Sequence, residues 1–330
     1  MSKATGSNHY RVHGLCIESD FDFTELSGCE LPPGHGSDVD LLLLRKARQG
    51  LPEPSARQWS VHRTGSLSVA HGPWGTVFES YCGSRAWLPA DASAQGATLH
   101  IARAPGISRD LFHHTVLHAF VPLALVLHGH TLVHAACVAV GGRAFLFPGE
   151  SRMGKSTLAA GFAARGLPVF SDDVVRVQVD AAGCVRVWPG YPGARLRGES
   201  FLLGASQRGQ RPGRYGLPRF RVHTTPVVGV PAEGVEVAAV CFLGRSRTVA
   251  PSWARLSPMQ AITPWVESCF LLSLPKPQRL RAAFERGSQL ARSAPAWRVA
   301  YRRSSPHFAT LCTRLVEAME AIAASGTPHR

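Results

Sequence analysis

The stretch Phe145-Leu-Phe-Pro-Gly149-Glu-Ser-Arg-Met-Gly154-Lys155-Ser156-Thr157 constrains this chain more than any other. It reads Gly-x-x-x-x-Gly-Lys-Ser, preceded by an apolar run at 143–147 and followed by a helical pattern at 156–165 that closes on Gly166. A strand, a glycine-bearing loop and a helix in that order form a cradle of backbone N–H groups, and the helix dipole adds attraction for anions. Gly149 and Gly154 allow close approach and unusual φ values. Lys155 carries an ammonium that reaches the β- and γ-phosphates of a nucleoside triphosphate, and the Ser156 hydroxyl is suited to ligate Mg²⁺. The expected nucleotide-binding set is therefore Gly149, Glu150, Ser151, Arg152, Met153, Gly154, Lys155, Ser156 and Thr157, with ATP and Mg²⁺ as cofactors. Of 36 basic residues only Lys3, Lys46, Lys155 and Lys276 are lysines, and one of these four falls in the loop. A compact ammonium on a flexible stem is what that position needs.

Ser171-Asp172-Asp173 follows a short apolar run at 167–170, and Asp172 lies seventeen residues after Lys155. Two carboxylates at the end of a strand beside a phosphate loop face the terminal phosphate. One can accept the proton of an acceptor hydroxyl while the other holds Mg²⁺. Neighbouring carboxylates also repel, which lifts the pKa of one towards that of a base.

With 330 residues, 45% of them hydrophobic, the chain can bury one large core or two ordinary ones. Residues 1–105 read as a β-rich or α+β domain of docking or scaffold character, with strands at 10–17, 38–44, 65–68, 76–80 and 97–101. A helix is expected over 108–128, capped by Ser108. It carries His113, His114, His118 and His128 with no acid or Cys at metal-binding spacing, so the histidines read as its polar face. Residues 106–330 read as the α/β catalytic domain. It opens with a hairpin of runs 131–140 and 143–147 around Gly141-Gly142. Strands follow at 174–179, 184–188 and 235–243, and helices at 256–274, 277–292 and 309–324. Residues 206–225 read as a Gly/Pro/Arg-rich loop with Arg208, Arg211, Arg214, Arg219 and Arg221 and no acid before Thr225. It is either a receiver for an acidic peptide or phosphate, or a solvated basic loop.

The formal net charge of +14 permits an anionic partner. No aromatic-interleaved basic patch or zinc finger points to nucleic acid. The eight cysteines include no CxxC pair, which suits reduced thiols in a cytoplasmic protein. The N-terminal residues 1–10 are polar. The longest apolar stretch, 119–127, falls short of the ~20 residues a bilayer requires, so no membrane partner is expected.

Residues 132–175 resemble the catalytic core of HPr kinase/phosphorylase. They resemble more closely the HPr-kinase-like proteins encoded beside lasso-peptide and other ribosomal-peptide biosynthesis genes. The resemblance is carried by Val133-His134-Ala135-Ala136, by the loop 149–157, and by Gly166 through Ser171-Asp172-Asp173. A looser likeness runs through 189–197, 237–244 and Leu256-Ser-Pro. It implies a P-loop kinase core of the HPr kinase/phosphoenolpyruvate carboxykinase type. It also implies phosphoryl transfer from ATP to a serine of a peptide or protein, such as a ribosomally made precursor peptide. By the same resemblance Asp172 is the base with His134 beside it, Asp173 and Ser156 serve the metal, and Arg195 and Arg197 meet the substrate. Related enzymes form oligomers, so a homo-oligomer is one expectation. The chain departs from the family at Arg152, where Gly is usual, and in lacking the segment that recognises the HPr carrier. Two other readings stay open. One is a small-molecule kinase of the shikimate or gluconate type, with 206–221 as its lid. The other is a nucleotide-binding regulator without catalysis.

Overall fold

The computed structural model describes residues 7–32, 41–47, 50–55, 60–63, 67–90, 96–150, 153–191, 194–197, 208–212, 218–222, 230–246, 251–271, 276–302 and 305–325. The fold is mixed α/β. The chain divides into two compact units, Met1–His130 with Leu271–Leu280, and Thr131–Phe270 with Arg281–Arg330.

The first unit is built on one sheet of eight strands. These are β1 (Asn8–Val12), β2 (Leu15–Ser19), β3 (Leu41–Lys46), β4 (Ser60–Arg63), β5 (Leu67–Gly72), β6 (Gly75–Ser80), β7 (Arg85–Pro89) and β8 (Gly96–Ala102). Their order is β1-β2-β3-β8-β7-β6-β5-β4, with β3 parallel to both of its neighbours. In β8 alternate residues Ala97, Leu99 and Ile101 are buried, the period of a strand with one face on the core.

A helix follows in three pieces: α1 (Arg109–Thr115), a π turn (Val116–Phe120) and α2 (Val121–Leu127). Ser108 caps it as expected, accepting from Leu111 N at 3.3 Å. Pro122 lacks the N–H an α-helix needs and crowds the carbonyl one turn back, which accounts for the widened turn before it. By length and composition alone the stretch Arg109–Leu127 would span a bilayer, but 67% of it is buried inside the protein. His113 does not sit on a polar face. It is buried, with Nδ1 2.8 Å from Glu25 Oε2, a partner 88 residues away.

The second unit opens with the expected hairpin, β9 (Thr131–Val140) and β10 (Arg143–Pro148), turning on Gly141 and Gly142 at φ 56° and 74°. Next come α3 (Lys155–Ala163), β11 (Val169–Ser171), β12 (Val174–Val179), β13 (Val185–Val187) and β14 (Ala194–Arg197). They are followed by β15 (Arg208–Pro212), β16 (Pro218–Val222), β17 (Val235–Arg245), β18 (Ser252–Leu256) and α4 (Pro258–Ser268). The chain ends with α5 (Lys276–Ser293), which passes from the first unit into the second, then β19 (Ala296–Tyr301) and α6 (Ser305–Ala324).

Strands β10, β9, β12, β13 and β17 pair in that order, and β17 returns to pair in parallel with β10, closing a five-stranded barrel. β17 also carries β19 in parallel, with β18 outside it. β10 is buried on both faces. Phe145 and Phe147 join Leu158, Phe162, Leu311 and Leu315, while Ala144 and Leu146 join Val175, Val187, Trp265 and Leu290. This is why the run before the loop is continuously apolar rather than alternating. Each large side chain so buried contributes about 1.5–3 kcal/mol.

Two expectations are corrected and one strand is added. Residues 206–225 are not simply a loop. Their described parts are β15 and β16, which pair with β14 in a three-stranded sheet of order β14-β16-β15. The Gly and Pro signals that suggested a loop sit at a bulge (Gly209) and at strand ends (Pro212, Pro218), where a strand tolerates them; Arg214 lies outside the described residues. The helix expected over 256–274 is confined to α4, because Ser257 and Gln260 form a capping box that starts it and Leu256 still belongs to a strand. Finally, β19 was not foreseen at all.

Candidate phosphate-binding site

β10 delivers the chain to Gly149 and Glu150, and α3 begins at Lys155; Ser151 and Arg152 lie outside the described residues. Gly154 occupies the N-cap of α3 at φ 96°, a left-handed conformation that favours glycine. It has no side chain with which to cap the first-turn N–H groups, the arrangement that suits an anion there. Lys155 is 7% exposed, and its Nζ donates to the carbonyls of Gly149 at 2.7 Å and Glu150 at 3.1 Å. Burial holds its pKa below the usual lysine range, and the charges of Asp173 and then Asp172 oppose that shift. Ser156 and Thr157 stand half-buried on the first turn of α3.

Asp172 and Asp173 form the turn between β11 and β12. Ser171 shapes it. Its Oγ donates to the carbonyl of Val174 at 2.7 Å and accepts from the Asp173 N–H at 3.2 Å. Asp172 is buried, whereas Asp173 is about one-third exposed. His134 on β9 lies opposite Val174 in register, which sets its Nδ1 3.2 Å from Asp173 Oδ1, an ion pair whenever the ring is protonated. The fold therefore gathers Lys155, Asp172, Asp173 and His134 around the loop. Arg195 and Arg197 are on β14, whose backbone runs close to α3.

Sequence reasoning missed the supports of the loop. Tyr301, the last residue of β19, donates its hydroxyl hydrogen to the carbonyl of Met153. A Cβ on Gly154 would meet the Tyr301 hydroxyl oxygen at 2.5 Å. At the other end of the loop, a Cβ on Gly149 would meet Leu243 Cβ, on β17, at 3.1 Å. The neighbouring strands β17 and β19 thus form a floor on which both glycines rest, in addition to any demand made by phosphate. A strand is expected over 235–243, which includes Leu243, but that expectation names no contact, and 296–301 is not among the expected strands. Tyr191 was missed as well. It is buried, and burial and then the Asp173 charge push its hydroxyl pKa up.

A hydroxyl and a carboxylate, completed by phosphate oxygens and water, suit Mg²⁺, which rarely takes an all-protein cage. Among the described residues no cluster of three or more His, Cys, Asp or Glu is placed to hold a metal. A cavity of about 1030 Å³ lies at the far end of β10, lined by Arg143, Arg186, Glu233, Glu236 and Phe170, and none of the described residues of the loop or the acid pair lines it. No family model and no curated protein matches the chain.

Proposed function

We propose that this protein is an ATP-dependent kinase of the HPr kinase/phosphoenolpyruvate carboxykinase type, acting in the cytoplasm on a serine hydroxyl of a peptide or protein. One observation carries the reading: a buried lysine held against the Gly149 and Glu150 carbonyls at the start of α3 belongs to the same unit as the β11–β12 turn, where Asp173 Oδ1 lies 3.2 Å from His134 Nδ1 and both carboxylates oppose the burial-lowered pKa of that lysine. An acid pair and a phosphate cradle are then within one electrostatic neighbourhood, the combination that phosphoryl transfer uses.

In this reading the N–H groups of the loop and of the α3 start cradle the phosphates. Lys155 leaves the Gly149 and Glu150 carbonyls for the β- and γ-phosphates. Asp172, buried, accepts the proton of the serine hydroxyl as the serine oxygen bonds to the γ-phosphorus and the bond from that phosphorus to the β–γ bridging oxygen breaks, with ADP as the leaving group. Ser156 and Asp173 would hold Mg²⁺, which neutralises charge on the phosphate oxygens. His134 flanks Asp173 and fixes its orientation. A precursor peptide made on the ribosome is the acceptor the family resemblance suggests.

The test is incubation of the full chain with ATP, Mg²⁺ and serine-containing peptides, read by mass spectrometry. A gain of one phosphate on serine is expected. ATP bound without transfer to any peptide or metabolite would leave only a nucleotide-binding protein.

A further inference from the structure

The cavity beside the β9–β10 turn has no role in phosphate binding, yet its lining is chemically specific. It measures about 1030 Å³ and lies within the second unit, at the end of the barrel where β10 and β17 begin. Val140, Leu167, Phe170, Val230 and Val235 give it an apolar wall. Size and wall are those of a small-molecule pocket, which barrels commonly hold at their ends. Its charges do not balance. Arg143 is paired with Glu236 at 2.7 Å, and Arg186 with Asp180 at 2.8 Å, so each guanidinium already has its carboxylate. Two further acids, Glu233 just before β17 and Glu320 on α6, line the same cavity and are exposed. Among the described residues neither carboxylate has a hydrogen bond or an ion pair. The last turn of α6 also meets the cavity, through Ala323 and Ala324, and carries no basic residue to offset the negative end of the helix dipole. In a chain of net charge +14, this is a local reversal of sign.

We propose that this cavity binds a small organic cation, an ammonium or guanidinium carried on an apolar group. The apolar group covers the hydrophobic wall, which removes its surface from water. The cationic head meets Glu233 and Glu320, the two carboxylates with no basic partner of their own. An anion of the same shape would meet those carboxylates with both arginines already engaged, and a neutral molecule would leave them unused. The site does not depend on the kinase reading. None of the described residues of the phosphate loop or the acid pair lines the cavity, and binding is measured without ATP.

The experiment titrates the full chain with phenethylammonium, and with phenethyl alcohol and hydrocinnamate as its neutral and anionic counterparts, read by ligand-observed NMR. Phenethylammonium should bind, more weakly as salt rises, and about tenfold more tightly than either counterpart. Glu233→Gln with Glu320→Gln should remove that preference: the ammonium binds about tenfold more weakly and the alcohol as before. Both side chains are exposed, so the variant should fold as wild type does and bind ATP equally well. Glu233→Lys with Glu320→Lys should turn the preference towards hydrocinnamate. Phenethyl alcohol bound as tightly as the ammonium by wild type overturns the proposal. So does an ammonium affinity unchanged in both variants, which would place the binding elsewhere, and so does no binding of the ammonium at all.

Discussion

The two ends of β10 carry charge in opposite ways. At the turn end, beside the large cavity, ion pairs close on themselves: Arg143 Nη2 meets Glu236 at 2.7 Å, and Arg186 Nε meets Asp180 at 2.8 Å. At the loop end, Lys155 is buried against two carbonyls, with two carboxylates acting on it from the β11–β12 turn. Paired, partly exposed charges contribute little and ask for no ligand. A buried ammonium amid carbonyls, at a helix start with no capping side chain, is arranged for one. The cavity at the turn end thus lacks the arrangement that an anion would use.

The contrast is breakable. Lys155→Met should lower ATP affinity by about a hundredfold or more, as loss of a charge-assisted phosphate contact implies; Glu236→Gln, at the opposite end, should leave it unchanged. Calorimetric titration of the two variants side by side decides this. Gly154→Ala combines a left-handed φ with a clash against Tyr301, and should cost about 1–3 kcal/mol of stability, read by denaturant unfolding. Tyr301→Phe keeps the ring and removes only the bond to Met153, so a loss of about 1 kcal/mol is expected, with ATP affinity falling in parallel. If that variant loses stability but binds ATP normally, Tyr301 supports the fold and not the loop.

The smallest effect is the pH response. Protonated Lys155 is the form that binds phosphate, and burial lowers its pKa. Its proton therefore leaves at a lower pH than an ordinary lysine's, and ATP affinity should fall as pH rises, before the usual lysine range is reached. Affinity that stays flat until ordinary lysines titrate would show that burial does not weaken this ammonium.

What could be read from the sequence follows the range of the contacts. The loop, its strand and its helix are consecutive, so local pattern was enough to find them. Asp172 and Asp173 were visible because a short apolar run ends at them. His134 carries no signal of its own. Only antiparallel pairing of β9 with β12 brings it to Asp173, and the family likeness stood in for that pairing. Tyr301 and Leu243 reach the loop from strands about 90 to 150 residues further along the chain, which no spacing rule encodes. The basic sheet was misread because its Gly and Pro punctuate strands rather than break them. His113 looked solvated because its acid, Glu25, lies 88 residues upstream.

The most direct test pairs nucleotide binding with transfer in Asp172→Asn. That change keeps the shape of the side chain and removes its basicity. The variant should bind ATP as wild type does and transfer no phosphate to serine. Undiminished transfer would contradict the account, since the acid beside the loop would then take no part in the reaction.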